Sequence, residues 1–133
     1  MRQAFIVTIV FLVLDAMWLG WLANAMYVNA LHPLLRYTPG VGIQPIWSAA
    51  VVVYIALIAG LLVFVIPKAA GDPIHALCYG ALFGAITYAT YDFTNYALLS
   101  GWSLKVAIID TVWGMIICSA TSVIAVLMST RHA

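Results

Sequence analysis

The chain has 133 residues, of which 66% are hydrophobic and 7% charged, with a mean hydropathy of +1.12 and a formal net charge of +1. Soluble domains carry about a quarter charged residues, so a water-soluble fold is excluded and lipid is the solvent for most of the chain. The near-neutral balance also excludes nucleic-acid binding, which needs a concentrated basic face.

A helix needs about 20 mostly apolar residues to cross a bilayer, and four segments qualify, at about 5–26, 46–66, 74–98 and 104–128. The expected fold is all-α: a single transmembrane domain over 1–133, built as a four-transmembrane-helix antiparallel bundle. The first segment, FIVTIVFLVL after Arg2, resembles a secretory leader. Asp15, Trp18 and Trp21 come after the apolar run, which argues for a retained helix. The outer loop, 27–45, contains Pro33, Pro39, Gly40, Gly42 and Pro45, which break any continuous helix; LHPLLRY within it is expected as a short interfacial helix. His32 and Arg36 belong to this loop; a cluster with Asn24 and Asn29 at the mouth of a cavity is one reading of them, and a plain interfacial loop is the simpler one. The turns PKAAGDP and SGWS are short, so the last three helices must pack as antiparallel neighbours. Trp47 and Trp102 fit interfacial anchors. With the N-terminus in the cytoplasm, the inside carries Arg2, Lys68 and Arg131 and the outside Arg36 and Lys105, which gives N-in/C-in.

Asp72 sits in a turn, but Asp15, Asp92 and Asp110 lie inside apolar segments. Each costs about 2.5–3.5 kcal/mol near the centre of a membrane helix, so each must face protein, water or a ligand. In the third segment Gly80, Gly84, Tyr88, Asp92 and Tyr96 recur every four residues, joined by Asn95. GALFG is a small-xxx-small pattern that admits a neighbouring helix closely. In the fourth segment Asp110, Trp113, Gly114, Ile117 and Thr121 share a face; in the first, Thr8, Asp15, Trp18 and Leu22 do. Asp92 and Asp110 flank the SGWS turn at similar depth, and if they meet they share their proton load, because two buried like charges disfavour each other. LDAMWLG and IDTVWGM both contain Asp-x-x-Trp followed by glycine. The expected place for each indole is beside an aspartate, its N–H bonded to the carboxylate. Cys78 and Cys118 are expected as small buried hydrophobes. His75 and His132 stand alone. No metal-ligand cluster, phosphate loop or serine–histidine pair is legible, so no metal and no cofactor is expected.

LDAMWLG, YATYDFTNYALLSGWSL and IDTVWGM together resemble the bacterial polytopic membrane proteins of the domain of unknown function 2177 family. The resemblance covers nearly the whole chain, and Tyr-Asp-x-Thr-Asn with a Gly-Trp turn after it is its most specific part. Asp15, Trp18, Tyr91, Asp92, Thr94, Asn95, Asp110, Trp113 and Gly114 all keep the pattern. The resemblance implies a small multi-pass protein of the bacterial inner (cytoplasmic) membrane and carries no activity with it.

The expected site is lined by Asp15, Trp18, Tyr88, Tyr91, Asp92, Asn95, Asp110 and Trp113, with Gly80, Gly84 and Gly114 serving helix packing. Three functions fit. The first is binding or transport of a small amphiphile, lipid or cation. The second is a membrane enzyme on a lipid or isoprenoid, with a carboxylic acid as proton donor. The third is a structural subunit of a larger membrane complex. Expected partners are membrane lipids, with a homo-oligomer or larger complex in the third case.

Overall fold

The computed structural model describes residues 1–130. Arg131, counted above toward the cytoplasmic side, and His132 lie outside the described residues. Helix α1 (Arg2–Met17) runs into a π-helical turn at Trp18–Leu22, and after Ala23 comes a short helix, α2 (Asn24–Leu31). Strands β1 (Tyr37–Thr38) and β2 (Gly42–Ile43) pair antiparallel in a small hairpin, Tyr37 opposite Ile43. Helix α3 (Trp47–Gly60) continues through a second π turn at Leu61–Val65 into α4 (Ile66–Ala69). Two long helices complete the chain, α5 (Pro73–Leu98) and α6 (Leu104–Thr130).

Local chemistry explains the breaks. Pro67 has no N–H, and its ring would collide with the carbonyl four residues back; the widened turn at Leu61–Val65 takes up that conflict just upstream. Gly40 and Gly42 take φ of +81° and +99° in the hairpin, a region that only glycine enters freely. Asp72 caps α5: its carboxylate accepts the N–H groups of Ile74 at 2.7 Å and His75 at 3.1 Å, with Pro73 preset at the first helical position. Those bonds, His75's foremost, hold the Asp72 carboxyl below its ordinary range.

Helices α5 and α6 form the most extensive pair. Built on Gly80, a Cβ would stand 2.7 Å from the Cys118 carbonyl oxygen; one on Gly84 would run into the Gly114 backbone, and one on Gly114 would meet Tyr88. The small-residue seam therefore brings two backbones of the same chain together. Helix α1 lies along α6, and the Arg2 guanidinium donates to the Met128 carbonyl, a cation at a helix C-terminus. A dry core of Ile6, Val7 and Phe11, Leu61, Val65 and Ala69, Ala76, Ile117 and Val126 fills the half nearest the chain ends. A second cluster of Ala23, Tyr27, Leu31 and Val106 seats α2 against α6. Large apolar side chains such as Val52, Ile55, Phe64 and Ile86 point outward, as lipid contact requires.

Among the described residues, three helices are long and apolar enough to cross a membrane: Arg2–Leu22, Trp47–Ala69 and Leu104–Ser129. Composition thus supports three of the four expected spans. Helix α5 has the length, 26 residues, but carries His75, Asp92, Asn95 and several tyrosines and threonines. Other expectations change as well. Leu22 does not share the inner face of Asp15 and is 60% exposed, because the π turn rotates this end of the helix away from that face. The LHPLLRY segment is not a helix; the short helix lies upstream of it, at Asn24–Leu31. Cys118 is buried but Cys78 is exposed, and both are free thiols; α5 turns its Cys78 face away from α6.

Candidate functional site

Between the two apolar clusters, α1 and α6 meet through their Asp-x-x-Trp motifs. The Trp18 and Trp113 indoles stack, 4.4 Å between centroids and 4° from parallel. Each tryptophan then serves the aspartate of the opposite helix. Trp113 Nε1–H donates to Asp15 Oδ1 at 3.2 Å. Trp18 Nε1–H donates to the Tyr27 hydroxyl at 3.1 Å, and that hydroxyl donates to Asp110 Oδ1. The expected bond between an indole and an aspartate is therefore present at Asp15, but across helices, and at Asp110 a tyrosine intervenes.

The three carboxyls differ in what surrounds them. Asp15 is buried, and both its oxygens have donors, the second from the Tyr54 hydroxyl at 2.6 Å. Asp92 is fully buried on α5. The Asp110 carboxyl and the Trp102 indole lie beside it, yet neither Asp92 oxygen has a hydrogen bond, and the Trp102 N–H has none either. Burying a carboxyl without partners is among the costlier things a fold can do, so Asp92 is the least explained polar group of the three. Asp110 is half-buried and sits between Asp92 and open space.

That open space is a cleft between α1, α3, α5 and α6. An inner chamber of about 330 Å³ is lined by Asp15, Leu19, Ala50, Val53, Tyr54, Leu57, Thr87, Tyr88, Tyr91 and Asp110. An outer chamber of about 610 Å³ continues toward α2 and the hairpin, past Asn24, Tyr27, Ile43, Trp47 and Trp102. Leu19, Ala50, Tyr54, Tyr91 and Asp110 line both, so Asp110 stands where the two join. Neither lining contains a lysine, arginine or histidine.

Of the sequence-selected residues, Asp15, Tyr88, Tyr91 and Asp110 reach the cleft. Trp18 and Trp113 form the stack behind it, and Asp92 stands behind Asp110. Asn95 lies beside Tyr91 and lines neither chamber, while Tyr96, in the same stripe, is 45% exposed. Sequence reasoning missed Tyr27 and Tyr54. Tyr27 falls in what reads as a loop; Tyr54 stands alone in the apolar run VVVYIALI, and that lone hydroxyl is the signal that could have found it. Trp102, expected as an anchor, is half-buried with its ring 5.8 Å from Tyr91 at 83°. Among the described residues no group of three or more metal-ligating side chains converges.

No curated protein and no solved structure matches the chain. The family described as predicted membrane protein (DUF2177) matches residues 2–127, in keeping with the resemblance read from the three motifs, and the chain belongs to that family.

Proposed function

We propose that the protein binds a small amphiphile in this cleft, its apolar part among Leu19, Val53 and Leu57 and its polar end at Asp110. The observation that carries the reading is the Asp110 carboxyl at the junction of two mostly apolar chambers. Ligand pockets are mostly apolar with a few placed polar groups, and the combined space suits one lipid-like chain and a small headgroup. Asp15, with both oxygens occupied, holds α1, α3 and α6 together and shapes the wall.

The site belongs inside the bilayer. At about 1.5 Å per residue α5 reaches about 39 Å, enough to span the hydrocarbon core, and it packs along α6 with Asp92 turned inward. Its low apolarity is then the signature of an inward polar face rather than of a peripheral helix. We read the chain as four spans in a bacterial cytoplasmic membrane, N-in/C-in, with the outer chamber opening toward the extracytoplasmic side. A structural-subunit role is disfavoured, because the glycine seam that would have met a partner is filled by α6.

An enzymatic reading draws on one specific feature, the contact of Asp92 with Asp110, which offers a carboxylic acid beside an apolar pocket. Native mass spectrometry of the purified chain separates these readings. A retained amphiphile, lost in Asp110→Asn but kept in the unmutated chain, supports binding. Conversion of a bound lipid to a product of different mass would shift the reading to catalysis. A bare chain in both cases would remove the binding site.

A further inference from the structure

The cleft excludes one large class of headgroup. Its linings carry two carboxyls and no cationic side chain, so a phosphate or carboxylate headgroup would meet like charge with nothing to neutralise it. Its aromatic members are Tyr27, Tyr54, Tyr88, Tyr91, Trp47 and Trp102, and aromatic rings attract cations over their faces.

The carboxyl behind the cleft adds a second constraint. Asp92 is wholly buried, reaches no chamber, and has both oxygens free of hydrogen bonds beside Asp110. The groups facing the pair are Tyr27 from α2, Asp15 from α1, Tyr88 and Tyr91 from α5 and, across the inner chamber, Tyr54 from α3. None is a cation, and phenols keep their protons at neutral pH. Asp92 is wholly buried, Asp110 faces the cleft, and no cationic side chain lines it, so a proton shared between the two carboxyls would relieve their repulsion and give Asp92 the hydrogen bond it otherwise lacks.

Resting on the binding reading above, we propose that the ligand is a cationic amphiphile, and that its headgroup, on reaching Asp110, displaces the proton that Asp110 shares with Asp92. The O–H bond breaks, the proton passes through the outer chamber to water, and the cation takes its place beside Asp110. The net charge of the pair with its counter-ion is the same before and after, so the exchange avoids burying an extra charge.

The test uses the full chain in phosphatidylcholine nanodiscs, titrated calorimetrically with dodecyltrimethylammonium, with empty discs subtracted. The quaternary head has no proton to lose, so any proton released comes from the protein. Titration in two buffers of different ionisation enthalpy counts it. The expected result is proton release approaching one per ligand at about pH 6 and an affinity that tightens as pH rises from there, by at most about tenfold per pH unit. Asp92→Asn leaves Asp110 a lone carboxylate, so it binds more tightly at pH 6, releases no proton and loses the pH slope. Asp110→Asn weakens binding by about tenfold or more. Dodecanol is the neutral comparison. If dodecanol and the cation bind equally and no proton is released, the exchange is overturned while the amphiphile site stands. If neither binds, the site itself fails. Proton release that persists in Asp92→Asn would also overturn the exchange. The proton count on the unmutated chain requires no variant to fold.

Discussion

Replacing Asp15 separates a scaffold from a ligand anchor. Its two oxygens accept the Trp113 N–H and the Tyr54 O–H. In Asp15→Ala both half-buried donors lose their acceptor, at about 1–3 kcal/mol each, so the loss is about 2–6 kcal/mol. In Asp15→Asn the amide oxygen can still accept from Trp113 and the amide N–H can donate to the Tyr54 oxygen. Two charge-assisted bonds then become neutral ones of about half the strength, a cost of about 1 kcal/mol. The assay is thermal unfolding read by a fluorogenic maleimide on the buried Cys118 thiol, with the exposed Cys78 replaced by serine. At about 4 °C per kcal/mol, Asn lowers Tm by about 4 °C and Ala by about 10 °C or more. Equal and negligible shifts in both variants would refute the scaffold role. A stable Asp15→Asn chain that no longer retains ligand would make Asp15 an anchor instead.

Packing and charge set three other outcomes. Gly84→Ala destabilises by about 1–3 kcal/mol although alanine is the better helix former by about 1 kcal/mol, because its Cβ meets the Gly114 backbone; Gly20→Ala, with nothing within 4 Å, is neutral or mildly stabilising in the same thermal assay. The Asp72 carboxyl is lowered in the folded state, so its contribution is present above the unfolded carboxylate pKa of about 4 and is lost as pH falls through the folded value; the Tm gap between the unmutated chain and Asp72→Ala, measured against pH, narrows below about pH 4. Under the four-span reading, Lys105→Cys is labelled by impermeant maleimide from the outside of intact cells and Lys68→Cys only after lysis; the reverse pattern would invert the topology.

Much of the arrangement was legible because spacing alone sets helix faces. Gly80, Gly84 and Asp92 recur at four-residue intervals, and the backbone that the two glycines admit is what turns Asp92 inward. The SGWS turn is too short to let α5 and α6 part, so Asp92 and Asp110 had to lie close. The limits are equally physical. The π turn at Trp18–Leu22 has no proline to announce it, so the inner face could not be traced from Asp15 to Leu22, and α2 with Tyr27 disappeared into a loop. The exchange of partners between the two Asp-x-x-Trp motifs depends on how α1 and α6 cross, which neither motif encodes. Tyr54 gains its role from Asp15, 39 positions earlier in the chain, a separation beyond the reach of local pattern.

An amphiphile held in the cleft with its polar end at Asp110 is the feature on which the functional reading stands or falls. An experimental structure of the chain in lipid nanodiscs decides it. Chain-like density running between Val53, Leu57 and Leu19 and ending beside Asp110 and Tyr91 is the expected result. A cleft closed by Tyr54 and Tyr91 meeting across it, with Asp110 bonded only to protein, would overturn the reading.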